Sequence, residues 1–300
     1  LGLGGHGRVV LARQVALDRL VAIKLLHDQD DFTSVAMRTE MRVRLGNEAR
    51  VTASLNHPHI VRILDFEESD EVPWIAYEYL EGGPLSDRLD RGPFPPEEAL
   101  ALALQVVSAL ELAHQHGILH RDIKPGNLIE VAPGNLKVAD FGLVYVVSAG
   151  TALTRTGCVV GTPAYLAPEL LSDESHSPQT DLYALSITLY HMLLGRVPPI
   201  HERLVEAKLH QGLEPLPVYL NELLRRLLAR HAALRPPDAR TMREELQRAS
   251  AIASGEVSAP TPARRPSANL AVPTPLNLPK PSGSVRTQPS RRPGGFPSGS

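Results

Sequence analysis

Apolar and polar positions alternate in two different rhythms along the chain, and the change of rhythm divides it into two parts. In the first part the runs VVLARQV, LVAIKLL, VRILDFEE and VPWIAYEYL are rich in branched and aromatic residues, which is typical of strands. A helical period, carried by Leu45, Glu48, Val51, Thr52 and Leu55, interrupts these runs. The first part therefore predicts several strands and one helix.

The second part predicts helices. Pro95 and Pro96, followed by two glutamates, precede the apolar segment ALALALQVVSALELAHQH, and Gly117 stands where a C-terminal cap belongs. The segment DLYALSITLYHMLLG is apolar on nearly all sides and stops at Gly195, so we expect a buried helix there. VYLNELLRRLLARHAAL and DARTMREELQRAS add two further helical segments.

The composition changes near Ser254. From there to the end the chain has ten prolines and six basic residues but one acidic residue, with almost no large apolar side chains. This composition predicts a disordered or extended tail. We favour a linker to a further domain beyond Ser300. The alternatives are a proline-rich ligand for a partner, such as TPLNLPKP, and contact of the basic residues with anionic lipid.

Charge and cysteine content indicate which partners and which cellular compartment suit the chain. A net charge of −2 and an isoelectric point near 6.7 give no overall attraction to nucleic acid or membrane. The single cysteine, Cys158, rules out an internal disulfide and suits a reducing compartment. Because no apolar run could span a bilayer and no leader is visible, we expect a soluble, cytoplasmic protein, and membrane attachment through residues outside the sequence stays open. The sequence begins at Leu1, inside a glycine-rich motif, so we expect a piece of a longer protein.

The segment HRDIKPGN, residues 120–127, concentrates reactive side chains. It holds Asp122, Lys124 and Asn127 on one loop, and Asp140 follows the short apolar segment NLKVA. An acid, a lysine and an amide together, with a second carboxylate after a strand, indicate phosphate handling. The loop would carry a base and one metal ligand, and Asp140 would hold the other metal site. The alternative is that the two carboxylates only cap turns.

Glycines open the chain. Gly2, Gly4 and Gly7 precede the run VVLARQV, and glycine lets backbone N–H groups lie close over phosphates because no side chain intervenes. Taken alone, these residues favour an ordinary glycine-rich turn between two strands. A dinucleotide-binding loop would need them to begin a helix, whereas here they begin a predicted strand.

Lys24 lies on the predicted strand LVAIKLL, on the same face as Ala22. A small residue beside a lysine leaves room for a flat base and supplies a cation for phosphates, although an exposed lysine on an edge strand fits the same pattern. Glu48 faces the buried side of its helix and needs a cationic partner, for which Lys24 is the obvious candidate. Glu40 is the competing carboxylate.

The motifs occur in one order along the chain: GLGGHGRV, VAIK, the helical Glu48, LNHPHIV, EYLEGGPL, HRDIKPGN, ADFG, GTPAYLAPE, TDLYALS and Arg235. From Leu1 to about Arg248 the chain resembles the catalytic domain of a eukaryotic-type (Hanks-type) serine/threonine protein kinase, and it is most similar to bacterial members. The resemblance implies an α+β, two-lobed fold. Residues 1–80 would form a small lobe with an antiparallel sheet and one helix, residues 81–250 a larger helical lobe, and residues 251–300 a tail or linker.

The resemblance implies transfer of the γ-phosphate of ATP, with Mg²⁺, to serine or threonine hydroxyls of proteins, including the chain itself. Asp122 would accept or orient the proton of the acceptor hydroxyl, and Lys124 would steady the γ-phosphate. Asn127 and Asp140 would hold two Mg²⁺ ions, because oxygen ligands suit that cation.

It also implies an ATP site. The glycines would cover the phosphates through backbone groups, and the strand lysine, kept in place by the helical glutamate, would grip the α- and β-phosphates. Apolar residues would enclose adenine, whose edge would bond to the backbone of residues 78–80. The implied nucleotide-binding residues are Gly2, Leu3, Gly4, Gly5, Gly7, Val9, Ala22, Lys24, Glu48, Glu78, Leu80 and Ile129.

Further residues match structural positions of the family. Glu169 and Arg235 resemble its buried ion pair. Asp181 resembles the helix aspartate that anchors the backbone of the HRD motif. His120 and Phe141 would pack in an apolar stack.

The resemblance also indicates the substrate class. Lys124 and Thr162 match the serine/threonine branch rather than the tyrosine branch. The segment after ADFG contains several threonines, and we hypothesise that Thr154 or Thr156 is autophosphorylated and pairs with Arg121. The implied partners are protein substrates and not nucleic acid, with a possible dimer for trans-autophosphorylation.

Some positions depart from the family pattern. His6 replaces an aromatic residue, Tyr77 is bulky for the back of the adenine pocket, Glu130 replaces an apolar residue, and Ser186 replaces a glycine. None of these changes removes a catalytic group. Two alternatives therefore rank lower: a pseudokinase scaffold would lack a catalytic group, and a small-molecule phosphotransferase of related fold would not be expected to carry GTPAYLAPE, which shapes a peptide-docking platform.

Overall fold

The strands of the first part are β1 (Gly2–Gly4), β2 (Gly7–Gln14), β3 (Arg19–Leu25), β4 (Ile63–Glu67) and β5 (Trp74–Glu78). They form one sheet in the order β1-β2-β3-β5-β4, and every neighbouring pair is antiparallel. The computed structural model describes residues 2–4, 7–25, 46, 49–67, 73–141, 163–172, 175–203 and 205–258. The prediction of a small lobe with an antiparallel sheet is confirmed.

The register of this sheet places three predicted nucleotide-binding residues on one face. Lys24 of β3 pairs with Val9 of β2, and Ala22 lies two residues before Lys24, so their side chains point to the same side. β3 lies between β2 and β5, and Lys24 is only 4% exposed. The alternative of an exposed lysine on an edge strand is therefore wrong, because strands cover β3 on both sides.

A helical segment packs on this sheet. Gly46 and residues 49–53 are helical, which agrees with the helix predicted from the apolar period. Its buried side faces the sheet because branched and aromatic side chains of β4 and β5 offer an apolar surface. The core of this lobe consists of Ala49, Val61, Ile63, Ile75 and Tyr77.

Helices form most of the second lobe. They are α1 (Leu85–Leu89), α2 (Pro96–Gln115), α3 (Pro178–Leu194), α4 (Ile200–Arg203), α5 (Glu206–Gly212), α6 (Val218–Leu227) and α7 (Ala239–Ala253). Short 3₁₀ turns occur at Val15–Leu17, Pro125–Asn127, Pro163–Tyr165, Pro168–Ser172 and Ala232–Leu234. Within the described ranges, no helix combines the length and apolar character that crossing a membrane requires.

The two longest helices follow their sequence signals. The first turn of α2 carries Glu97 and Glu98, whose negative charges suit the positive end of the helix dipole. Gly117, just beyond its end, has a φ of 73°, a conformation that glycine adopts without strain. α3 is buried along nearly its whole length, as predicted, and stops at Gly195 with a φ of 67°.

Side-chain caps decide where two helices begin. α3 starts at Pro178, where the Thr180 hydroxyl accepts a hydrogen bond from the Ser177 N–H (3.2 Å) and donates one to the Ser177 carbonyl (2.7 Å). Asp238 caps α7 by accepting a backbone N–H at 2.7 Å. α7 ends at Ala253, past residue 250, which is the predicted end of the second lobe. The domain limits drawn from the sequence stay predictions.

A second, smaller sheet lies between the helices and the first lobe. It consists of β6 (Gly83–Pro84), β7 (Leu128–Ala132) and β8 (Asn135–Val138), paired antiparallel in that order. Ile60 of the first lobe forms a parallel bridge with Val138 of β8. This bridge joins the two lobes directly beside the residues of the predicted site.

Candidate active site

The predicted catalytic residues converge on Asp122. Its Oδ2 accepts hydrogen bonds from Lys124 Nζ at 2.7 Å and from Asn127 Nδ2 at 2.8 Å, and Asn127 Nδ2 also donates to the Asp122 carbonyl at 2.7 Å. The 3₁₀ turn at Pro125–Asn127 folds the chain back, so residues five positions apart meet. The side chain of Asp122 is 14% exposed and that of Lys124 is 21% exposed, so the cluster is accessible from solvent.

A buried carboxylate holds the backbone of this loop. Asp181 on α3 is 1% exposed and accepts hydrogen bonds from the N–H of His120 (2.8 Å), the N–H of Arg121 (2.7 Å) and His114 Nε2 (2.9 Å). These bonds stabilise Arg121 at a φ of 68°, which is unfavourable for a residue with a side chain. Burial raises the pKa of Asp181, but the hydrogen bond and charge of His114 outweigh it and leave that pKa below its ordinary value. The predicted anchoring by Asp181 agrees with this geometry.

His120 joins the loop to the end of β8. It is fully buried; its Nδ1 accepts the Asp122 N–H at 3.2 Å and its Nε2 lies 2.8 Å from the carbonyl oxygen of Ala139. Burial lowers the pKa of His120, which favours the neutral ring with its proton on Nε2. The ring meets the ring of Phe141 edge-on with centroids 4.7 Å apart, as the predicted stack requires.

The second predicted carboxylate lies opposite Lys24. Asp140 has a φ of 61°, and its Oδ2 lies 2.7 Å from Lys24 Nζ. The ammonium group is almost fully buried, whereas the carboxylate is 27% exposed. Because Lys24 lies on β3, this ion pair joins the first lobe to the segment after β8. The sequence did not pair Lys24 with Asp140. Glu48, its predicted partner, lies outside the described residues, so the Lys24–Glu48 pair stays a prediction.

Two oxygen-bearing side chains could hold a cation. The carbonyl of Asn127 accepts a hydrogen bond from the N–H of Ala139 at 2.8 Å, which places Asn127 beside the residue that precedes Asp140. Because the amide nitrogen of Asn127 bonds to Asp122, its amide oxygen is the atom that suits a metal. In the part of the chain that the structure describes, no three His, Cys, Asp or Glu side chains converge on a metal site. This donor set fits Mg²⁺, which commonly takes one or two protein ligands and completes its shell with phosphates and water.

The predicted nucleotide-binding residues lie on strands of both lobes. β1 and the start of β2 form a hairpin in which Gly4 pairs with Gly7, so the glycines precede a strand and the dinucleotide-loop alternative is wrong. Leu3 lies on β1, and Gly5 is outside the described residues. Ile129 lies on β7 and is partly buried.

The chain between the two sheets was predicted to bond to the edge of adenine. Glu78 ends β5, and Leu80 follows two residues later. The N–H of Glu78 already donates to the carbonyl oxygen of Arg62 at 3.0 Å. The backbone of Glu78 would therefore bond to the adenine edge through its carbonyl oxygen, because its N–H is already used. At Glu78 the prediction for residues 78–80 is thus restricted to this acceptor.

Three of the family departures have physical explanations in the structure, and the fourth, His6, lies outside the described residues. The Glu130 carboxylate accepts hydrogen bonds from Arg88 (2.8 Å) and from the N–H of Gly134 (3.0 Å), so its charge is paired. The Ser186 hydroxyl donates to the carbonyl one turn earlier in α3 at 2.7 Å. Tyr77 packs into the core of the first lobe, and burial together with the negative charge of Asp140 raises its pKa.

A buried ion pair anchors the segment that contains Glu169. Arg235, with a side chain 1% exposed, donates to both carboxylate oxygens of Glu169 at 2.7 and 2.9 Å. The same guanidinium donates to the carbonyls of Ala229 and Arg230 and lies over the ring of Tyr183 at 4.4 Å. This geometry agrees with the predicted buried pair.

Two further contacts of this segment were missed by the sequence analysis. The Tyr165 hydroxyl lies 2.9 Å from His191 Nδ1 on α3, and burial raises the pKa of Tyr165 to about 12. Arg203 on α4, 3% exposed, donates to the carbonyl oxygen of Leu166 at 2.8 Å. Tyr165 and Leu166 line the same small cavity as Asp122, so these contacts fix the chain directly beside the catalytic loop. Neither His191 nor Arg203 belongs to a sequence motif that also contains the residue it contacts.

Thr154 and Thr156, the threonines proposed for autophosphorylation, lie outside the described residues, as does Thr162. The modification and its pairing with Arg121 therefore stay predictions.

Comparisons with known proteins agree with this geometry. Residues 1–249 match the family described as protein kinase domain. The serine/threonine-protein kinase PknB of Mycobacterium leprae is 35% identical over 263 residues (83% of this chain, 42% of the relative), and PksC of Streptomyces coelicolor is 36% identical over 327 residues (100% and 58%). The chain thus spans about half the length of these relatives. The crystal structure of the Mycobacterium tuberculosis PknI kinase domain superimposes with a TM-score of 0.65 at 30% identity, covering 83% of this chain and 93% of that one. The chain belongs to the protein kinase domain family, as its motifs predicted.

Proposed function

We propose that this chain is the catalytic part of a protein serine/threonine kinase that transfers the γ-phosphate of ATP to serine and threonine hydroxyls. The observation that carries the proposal is the cluster at the Asp122 carboxylate, where Lys124 Nζ lies 2.7 Å and Asn127 Nδ2 lies 2.8 Å from Asp122 Oδ2. The named relatives are serine/threonine-protein kinases, which supports the same substrate class. Protein kinases use ATP and Mg²⁺.

The carboxylate and the lysine would have complementary roles. Asp122 would accept or orient the proton of the acceptor hydroxyl, because it is partly exposed and its loop is held rigidly by Asp181. Lys124 places a positive charge beside that point, where negative charge on the transferred phosphoryl group needs stabilisation. A rigid loop matters because a positioned group avoids reorganisation at the moment of reaction.

The metal and the phosphates would be held from both lobes. Asn127 and Asp140 would ligate Mg²⁺ through oxygen, and the bound metal would supply neutralisation of the phosphate charges. Lys24, now paired with Asp140, would contact the α- and β-phosphates, with the glycine hairpin above them. Glu48 would keep Lys24 in place. Val9, Ala22 and Ile129 would enclose adenine from the two lobes.

The acceptor is proposed to be a peptide segment of a protein. Residues 165–169 are fixed to α3, α4 and Arg235 beside Asp122, which would provide a rigid surface for an extended peptide. A second copy of the chain would be one such substrate, so a dimer would serve trans-autophosphorylation. We further propose a cytoplasmic location, where ATP is available and where the single cysteine would stay reduced.

The test is transfer of labelled γ-phosphate from Mg-ATP to a generic basic protein and to the chain itself. Asp122→Asn should lower the labelling of serine and threonine by about 10²- to 10⁴-fold, the usual contribution of a general base. The matched control is Asp65→Asn on the exposed face of β4, which should label like the parent.

Other outcomes would identify a different function. A parent chain that binds ATP but labels nothing would be a pseudokinase. A chain that labels a small alcohol or an aminoglycoside but no protein would be a small-molecule phosphotransferase. Full activity of the Asp122→Asn variant would refute the role of that carboxylate.

A further inference from the structure

A partly buried ion pair joins the end of β5 to β8. Lys137 Nζ lies 2.5 Å from Glu78 Oε1, and the same oxygen accepts the N–H of Arg62 at 2.9 Å. The side chains are 22% and 28% exposed, so water reaches the pair only in part. The Glu78 N–H donates back to the carbonyl oxygen of Arg62 at 3.0 Å, which closes a ring of hydrogen bonds. One carboxylate therefore holds three separate segments of the chain together.

The pair lies between the two elements that would surround a nucleotide. Glu78 is the last residue of β5, directly before the connection to the second sheet, where the adenine edge is expected. Lys137 is on β8, three residues before Asp140, whose carboxylate contacts Lys24. A movement of the inter-lobe connection away from β8 would have to break this pair first.

Neighbouring contacts strengthen the same junction. His59 Nδ1 lies 2.9 Å from the carbonyl oxygen of Leu136, the N–H of Val138 donates to the His59 carbonyl at 2.9 Å, and the N–H of Val61 donates to the Val138 carbonyl at 2.9 Å. These bonds hold β8 against residues 59–61 of the first lobe. The Lys137–Glu78 pair adds the inter-lobe connection to this junction.

We propose that Lys137 is a positioning residue for the nucleotide: through Glu78 it holds the inter-lobe connection against the strand that carries Asp140, and so it slows nucleotide release. The proposal rests on the proposed ATP-dependent function. Lys137 itself contacts neither the reacting groups nor the proposed metal ligands. Its effect is to keep the backbone that faces adenine at a fixed distance from the groups that would hold the phosphates.

The variant that tests this role is Lys137→Met, which keeps the apolar stem and removes the ammonium group. A fluorescent ADP analogue bound with Mg²⁺ is displaced by excess ATP in a stopped-flow instrument, and its dissociation rate is read directly. The rate should rise about fivefold, the factor expected for losing a strong, partly exposed ion pair. The KM for ATP should rise in proportion, whereas the KM for a peptide substrate should not change. Lys137→Arg should restore the parental rate because it keeps a cation within reach of Glu78.

A matched pair controls for general loss of stability. Arg243 on α7 donates to Glu111 on α2 at 2.7 Å, with side chains 34% and 18% exposed, and this pair lies within the helical lobe. Arg243→Met should lower the melting temperature by about as much as Lys137→Met does. It should leave the rate of nucleotide dissociation unchanged.

The possible results distinguish failure of the proposed function from failure of the positioning role. A parent chain that does not bind the ADP analogue would refute the proposed function and this inference together. A parent that binds, with Lys137→Met releasing the analogue at the parental rate, would refute only the positioning role. An equal acceleration in Lys137→Met and Arg243→Met would show that the pair is merely structural.

Discussion

The buried pair of Glu169 and Arg235 allows a sharp test of how burial sets the strength of an ion pair. Glu169→Gln removes one negative charge and keeps the shape and one acceptor oxygen. Arg235, 1% exposed at its side chain, would stay charged, with the carbonyls of Ala229 and Arg230 and the ring of Tyr183 as its remaining partners. The variant therefore leaves a buried cation without its counter-charge.

The expected cost follows from this geometry. Breaking a buried pair by removing one partner costs about 3–5 kcal/mol, and the partners that remain favour the lower end, about 3 kcal/mol. For a domain of this size 1 kcal/mol lowers the melting temperature by about 2–4 °C, so we expect a fall of about 6–12 °C. Urea unfolding followed by circular dichroism gives the free energy of unfolding directly.

The exposed pair of Arg240 and Glu244 is the matched control. It joins the same two residue types at 3.4 Å within one helix, but its side chains are 74% and 59% exposed. Glu244→Gln should cost about 0.3 kcal/mol. If Glu169→Gln costs no more than this, the reasoning from burial is refuted. The double variant Glu169→Gln with Arg235→Met should lose less than the sum of the two single losses, because no isolated charge remains.

Three further predictions follow from other contacts. Because the pKa of Asp181 is lowered, the contribution of this carboxylate to stability is complete above the ordinary carboxyl pKa of 3.8 and is lost as the pH falls below it. Asp181→Asn should therefore weaken the fall in the free energy of unfolding between about pH 5 and pH 2, measured by urea unfolding. Gly82→Ala should destabilise the chain by about 1–3 kcal/mol, because its Cβ would overlap a backbone carbonyl of β7, whereas Gly83→Ala, with no atom nearer than 3.8 Å, should change the melting temperature little. Arg203→Met should raise the KM for a peptide about tenfold and leave the KM for ATP unchanged in steady-state assays, and equal changes in both would contradict a role beside the acceptor.

The catalytic loop was predictable because its residues are close in sequence. Asp122, Lys124 and Asn127 occupy one tight turn, so their spacing alone brings the side chains together. Helix boundaries marked by proline and glycine were predicted for the same reason, since φ is a local property. α3 is the exception: it begins at Pro178, three residues before the apolar run DLYALSITLYHMLLG, because the Ser177–Thr180 cap lies outside that run.

Contacts between distant elements were not readable in the same way. The partner of Lys24 in the structure is Asp140, more than a hundred residues away, and the sequence pointed instead to a carboxylate on the helix. The bond from Arg203 to Leu166 has no motif, because one arginine among many carries no information about which carbonyl it will meet. Such pairs depend on how helices and strands pack, and packing is decided by the whole core.

The sequence by itself determined the family, the two-lobed α+β fold and the residue types of the active site, since those depend on local motifs that occur in a fixed order. The tertiary structure decided which groups hold these residues in place. Arg203 binds the carbonyl oxygen of Leu166, and Lys137 reaches Glu78, across 37 and 59 positions of the chain. A hydrogen bond needs its two atoms within about 3 Å and correctly aligned, and only the packed core brings distant segments to that separation.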